Sequence, residues 1–73
     1  MAEINIIGET RNMFIVEIKL GEDETGITKT RVPKDPNRIP NNSIYIFKKG
    51  KIVDLTKEVK KMVEAKLKKK GGE

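Results

Sequence analysis

Apolar residues in the last third of the chain recur at helical spacing. Leu55, Val59, Met62, Val63 and Leu67 follow one another at steps of four, three, one and four. At about 100° per residue they gather into an apolar stripe roughly 140° wide. Lys57, Lys60, Lys61, Glu64 and Lys68 fall on the far face, and Lys66 falls inside the stripe near its last turn. There its methylenes can lie along apolar surface while its ammonium stays in water. The spacing predicts a helix from Asp54 to Lys70. Asp54 or Thr56 can cap its start, since either side-chain oxygen can accept from a free backbone N–H. Lysines 68 to 70 oppose the negative pole of the helix dipole, and Gly71 can close the last turn. A helix of this length is marginal alone in water, so it must pack on the strands before it.

Upstream the period changes from 3.6 to 2. Phe14, Val16, Ile18 and Leu20 alternate with Glu17 and Lys19, which predicts a strand over Met13 to Leu20. Ile4 and Ile6 in Glu3 to Ile7 offer the same alternation. Opposed residues of an antiparallel pair share a face. Pairing Ile6 with Phe14 and Ile4 with Val16 leaves Glu9-Thr10-Arg11 as a three-residue loop. A four-residue loop would put Ile4 opposite Glu17 and split the apolar set. The other face of this hairpin carries Ile7, Met13 and Ile15 beside Asn5. Sheet curl or barrel closure would cover it, and left open it would serve self-association.

Gly21 to Gly26 is acidic and bounded by glycines, and it lacks the ligand spacing of a calcium loop. It reads as a solvated turn. Ile27 to Val32 alternates threonines with cations, which suits an edge strand guarded by Lys29 and Arg31. Pro33, Pro36 and Pro40 then end the strand and stiffen a spacer to Asn42. Pro33-Lys34-Asp35-Pro36 has the P-x-x-P spacing of a polyproline ligand, and here it reads as part of that spacer. Ser43 to Lys48 and Lys51 to Asp54 form a second hairpin around Lys49-Gly50. This register pairs Phe47 with Ile52 and Ile46 with Val53. It puts Ile44, Ile46 and Val53 on one face and Tyr45, Phe47 and Ile52 on the other. Apolar residues on both faces predict a central strand.

These elements predict an α+β fold: a curved antiparallel sheet of four to five strands, closed in the limit as an SH3-like or OB-like small barrel, with one C-terminal amphipathic helix. The helix stripe is expected on Phe14, Val16, Ile18, Ile44 and Ile46. Residues 1–70 read as a single small domain and residues 71–73 as a frayed tail.

Composition changes this picture in three ways. First, seventy-three residues without cysteine must hold by packing alone, and ten isoleucines, five valines and three leucines supply the material. Second, thirteen lysines and eight glutamates, with no glutamine, histidine, cysteine or tryptophan, are the pattern of a hyperthermophile protein. In this respect the composition resembles small proteins of hyperthermophilic archaea of the Pyrococcus type, with no motif that transfers a residue's role. Third, the net charge of +5 is uneven: −4 over residues 1–26, +5 over 27–54 and +4 over 55–73. The basic part can present a field to a polyanion. No apolar run has the 18 or so residues of a membrane span, and Met1 to Ile7 lacks the features of a signal peptide. The expected location is cytoplasmic.

Catalysis is not expected. Histidine and cysteine are absent, and the lone Ser43 has no histidine to activate it. The zinc ligands of choice are missing too; no phosphate-cradling glycine loop is present, and no cofactor is expected. The expected function is non-enzymatic binding of nucleic acid, DNA or RNA, through backbone phosphates on a basic sheet surface. Tyr45 and Phe47 share a strand face, Lys48, Lys49 and Lys51 adjoin them, and Lys29, Arg31, Lys34 and Arg38 lie in the preceding basic segment. Bases can stack on such rings while cations meet phosphates. The competing expectation for the two rings is burial in the core. The alternative function is a protein-interaction module or small homo-oligomer acting through Ile7, Met13 and Ile15. The lysine-rich helix face reads as solvated, although its cations could also meet anionic surfaces.

In length, strand count and terminal helix the chain resembles the small basic chromatin proteins of Sulfolobus, which join a five-stranded SH3-like arrangement to a C-terminal helix. Their DNA-facing tryptophan has no counterpart here, and the N-terminal third is acidic. Gly71-Gly72 resembles the diglycine end of ubiquitin-like modifiers, but it follows a helix instead of a strand and reads as a helix cap.

Overall fold

The computed structural model describes residues 2–71, with side chains through Lys68. The order is β1 (Glu3–Glu9), β2 (Met13–Lys19), β3 (Glu24–Gly26), β4 (Lys29–Pro33), a 3-10 turn (Pro36–Arg38), β5 (Tyr45–Lys48), β6 (Lys51–Asp54) and α1 (Thr56–Gly71). The strands form two antiparallel sheets, ordered β1-β2-β4 and β3-β5-β6. The α+β class, the antiparallel pairing and the C-terminal helix are as the sequence predicts. The strand count and the closure are not: the described residues form six strands, in two open three-stranded sheets instead of one sheet curling into a barrel. The diglycine reading at Gly71-Gly72 and the rest of the expected tail run into residues outside the described ones.

The additional strand comes from the acidic loop. Glu24–Gly26 pairs with β5, setting Glu24 opposite Lys48, Thr25 opposite Phe47 and Gly26 opposite Ile46. Glu24 is buried, and its carboxylate accepts from the Gly21 N–H at 2.6 Å. The chain continues through Ile27 and Thr28 into β4, which pairs with β2. Residues 24–33 thus pass from one sheet to the other, and the Ile18 N–H donates to the Thr28 carbonyl at 2.9 Å to tie the crossing down. Gly26 makes the corner possible. Its φ of 145° is one that side chains disfavour, and a Cβ there would stand 3.1 Å from the Ile46 Cα. As expected, β4 lies at a sheet edge and ends at Pro33.

The first hairpin keeps the predicted faces but not the predicted register. Ile4 lies opposite Ile18 and Ile6 opposite Val16, and the register then shifts so that Gly8 meets Ile15 and Glu9 meets Phe14. The irregularity at Ile7 is a β-bulge. One extra residue lets β1 run two residues further without turning its isoleucines outward. The turn is Thr10-Arg11-Asn12, held by Thr10 N–H to the Met13 carbonyl at 2.8 Å and by Met13 N–H to Thr10 Oγ1 at 3.1 Å.

The second hairpin has the predicted register, Phe47 opposite Ile52 and Ile46 opposite Val53. Lys49 and Gly50 both take positive φ, 52° and 80°, the backbone of a tight two-residue turn whose twist suits its strands. From β6 the chain enters the helix through a compact polar joint. Asp54 Oδ1 accepts from the Thr56 N–H at 2.9 Å and from the Thr56 hydroxyl at 2.6 Å. The same hydroxyl oxygen accepts from the Ile44 N–H at 3.1 Å, and the Leu55 N–H donates to the Ile44 carbonyl at 2.8 Å. Thr56 is almost wholly buried, so these bonds offset the cost of desolvating its hydroxyl.

The core joins Phe14, Val16 and Ile18 of β2, Val32 of β4, Ile39, Ile44, Ile46 of β5, and Leu55, Val59 and Val63 at the helix, with Leu67 packed against it. This is the predicted helix–sheet contact with two changes. Met62 is only half-buried, and Ile39, from the expected spacer, is buried. Asp35 shapes that segment, its Oδ1 accepting from the Asn37 N–H at 3.0 Å to cap the 3-10 turn. Lys66 is exposed, and Lys60 donates to Asn41 Oδ1 at 2.7 Å. No helix among the described residues is long and apolar enough to cross a membrane.

Two measurements check this account. Val63→Ala should lower unfolding free energy by about 1–3 kcal/mol, whereas Met62→Ala should cost clearly less; equal losses in urea titration would put the stripe in the wrong rotation. The second concerns acid. The Asp54 carboxyl is held below its ordinary value of 3.8, first by the Thr56 hydroxyl, then by the Thr56 N–H, against partial desolvation and with help from Lys57 and Lys60. A carboxylate with a depressed folded pKa stabilises the fold above its unfolded pKa, and that stabilisation is lost as pH falls through the folded value. Melting temperature should therefore fall more between pH 5 and pH 2 in the parent than in Asp54→Asn, and parallel curves would dismiss the joint as a source of acid sensitivity.

Candidate nucleic-acid interface

Strand alternation decides which of the candidate residues meet. Ile44 just before β5 and Ile46 within it are buried in the core, so Tyr45 and Phe47 point away from it. Both are exposed. Their rings lie edge to face, 5.8 Å between centroids at 88°, a favourable aromatic arrangement. Thr25 and Ile52 stand opposite Phe47 on the two neighbouring strands, and Asp54 stands opposite Tyr45. Ile27 joins Tyr45 and Phe47 in a shallow depression floored by Gly26. Ile27, Tyr45, Phe47 and Ile52 are 42%, 43%, 40% and 67% exposed. The expectation of a core position for the aromatics therefore fails: β5 is a central strand, but one face of its sheet is left open.

The cations do not share that face. Lys48 and Lys51 lie opposite each other with the parity of Ile46 and Val53, at the end of the core-facing side, where Lys48 also meets Glu24 across the ladder. Lys49 sits in the turn. Its ammonium is 4.0 Å from Asp23 Oδ2, and its N–H donates to the Asp23 carbonyl at 3.2 Å. The three lysines thus rim the aromatic face at the hairpin tip.

Lys29 and Arg31 belong to the other sheet. They lie opposite Glu17 and Ile15 on its outer face, and with Ile7 and Ile15 they border a second depression. Ile7 is exposed at the bulge, while Met13 and Ile15 are half-buried. The residues expected to serve self-association and two of those expected to meet phosphate therefore share one surface. The two outer faces are joined by the crossing from β3 to β4, where residues 25–29 are all exposed and Arg31 is exposed beyond them. Ile27 is the member of the aromatic face that sequence reasoning missed. The sequence carries no local signal for it, because Ile27 lies between β3 and β4 and reaches Tyr45 and Phe47 only through the pairing of β3 with β5.

The chain matches no protein-family model, no curated protein and no solved structure.

Since the aromatic face carries none of the core, Phe47→Ser should change stability by less than about 1 kcal/mol, the size of a cross-strand pair. A loss in urea titration as large as that of Val63→Ala would mean that the ring is buried in solution.

Proposed function

We propose that the protein binds single-stranded nucleic acid on the outer face of β3-β5-β6, without sequence reading. The observation that carries this reading is the uncovered Tyr45–Phe47 pair in the middle of a sheet rimmed by cations. Exposed rings offer stacking surface to any base, and cations around them meet the phosphates. The backbone track runs from the hairpin tip, past Ile27, to Lys29 and Arg31 on β4. The chain's net charge of +5 favours encounter with a polyanion.

A second reading rests on a different observation. The centre of the aromatic face holds no cation, and Ile52 is its most exposed residue. Aromatic and aliphatic side chains with charge confined to the rim also describe the core of a protein interface. On this reading the chain is an interaction module or homo-oligomer, and the Ile7, Met13 and Ile15 surface is a further contact.

Titration of labelled protein with single- and double-stranded oligonucleotides separates the two. Amide shifts are expected at residues 25–31 and 45–52, fading between about 50 and 200 mM salt as released counterions regain their hold. Phe47→Ala should weaken binding by roughly tenfold, the scale of one lost base stack. An unchanged spectrum at low salt together with a concentration-dependent mass would replace the first reading with the second.

A further inference from the structure

Lysine supplies thirteen of the sixteen cations in this chain, and arginine only three: Arg11, Arg31 and Arg38. Two of the three border one cleft. The cleft, of about 500 Å³, lies between the β1–β2 turn and the loop after β4, within the range of small-molecule sites. Arg11 and Met13 come to it from the first hairpin, and Pro33 and Arg38 from the end of β4 and the 3-10 turn that follows. Met13 and Pro33 are opposed on the outer face of the sheet, and Arg31 shares that face two residues before Pro33.

Arginine and lysine differ in what they recognise. A lysine is a hydrated point charge, sufficient for solubility, whereas the guanidinium fork matches the paired oxygens of phosphate. Two of the three arginines line this one cleft, where a guanidinium fork offers a geometry that lysine does not. The neighbouring charges are accounted for. Lys34 donates to Glu9 Oε1 at 2.7 Å and lies 5.2 Å from the Phe14 ring centroid, which holds it as a fixed post. Asp35 is spent on the 3-10 turn through Oδ1, and its Oδ2 is 3.9 Å from Arg38 Nε. Arg11 makes no ion pair among the described residues. The walls are pinned as well: the Lys34 N–H donates to the Asn12 carbonyl at 3.0 Å, which locks the two loops together.

We infer that this cleft binds the terminal phosphate of a nucleotide, a phosphate monoester held between Arg11 and Arg38 with the base lying on Met13 and Pro33. A lining that sets Met13 and Pro33 beside two arginines suits a ligand that is flat and apolar at one end and doubly charged at the other. The same chemistry is offered by a free mononucleotide and by the 5′-phosphorylated end of a strand. The site is distinct from the aromatic face, and its occupation does not depend on the reading given for that face.

The test is an NMR titration of the full chain with AMP, adenosine and inorganic phosphate. AMP should shift the amides of Asn12, Met13, Lys34 and Arg38, and should bind at least about tenfold more tightly than adenosine, the scale of a charged hydrogen bond lost. Equal binding of the two, or no shift at the cleft, overturns the proposal. Arg11→Lys and Arg38→Lys keep the charge and the fold but remove the fork. Each should weaken AMP by roughly tenfold, and unchanged affinity would likewise overturn it. Phe47→Ala should leave AMP binding intact, whereas a parallel loss would move the ligand to the aromatic face and refute the cleft. Tetranucleotides with and without a 5′-phosphate then distinguish the sources. Preference for the phosphorylated strand assigns a strand end, and indifference alongside AMP preference assigns the free nucleotide.

Discussion

Two open sheets cannot bury their inner faces on one another without a third surface to complete the enclosure, and here that surface is the stripe of α1. Val59 and Val63 are wholly buried against residues from both sheets. Each sheet has only three strands and two free edges, so neither has the closed hydrogen-bonding circuit that lets a barrel stand unaided. Everything else in the structure serves this contact. The crossing at Gly26 brings the sheets into one chain, and the joint of Asp54, Thr56 and Ile44 fixes where the helix starts relative to β5. In a chain of this size the apolar area available is small, and valine and isoleucine suit the site because they give up little rotamer freedom on burial.

The elements built from local pattern were legible in the sequence. The second hairpin announced its register through Lys49-Gly50, and the helix announced its buried face through the spacing of Leu55, Val59 and Val63. What was not legible depended on partners distant in the chain. Glu24-Thr25-Gly26 is too short and too polar to read as a strand, and becomes one only because β5 offers it a ladder. The bulge at Ile7 leaves no mark in composition, because an isoleucine there fits a strand whether or not it is paired. Ile39, among prolines and polar residues, is buried because the capped turn of Pro36–Arg38 aims it inward. The candidate site was legible as a set of residues but not as a surface. Alternation places Tyr45 and Phe47 on one face, but whether that face is covered is a property of the whole fold.

The charge layout follows from the same architecture. With the inner faces committed to the helix, function can reside only on the outer faces, the edges and the loops. The chain leaves Tyr45 and Phe47 exposed on one outer face and sets Lys29 and Arg31 on β4 and Lys48, Lys49 and Lys51 at the second hairpin's tip.

The position of the helix in chain order has a consequence for synthesis. The strands leave the ribosome first, at a rate of about 5–20 residues per second, and the segment that shields them leaves after all of them. For that interval Phe14, Val16, Ile18 and Ile46 have no partner for their common face. The N-terminal hairpin therefore waits as a half-covered ribbon, exposed to chaperones and to neighbouring nascent chains. Residues 1–26, with six acidic and two basic side chains, carry a net charge of −4, and like charge disfavours the approach of such segments to one another before the basic remainder of the chain emerges.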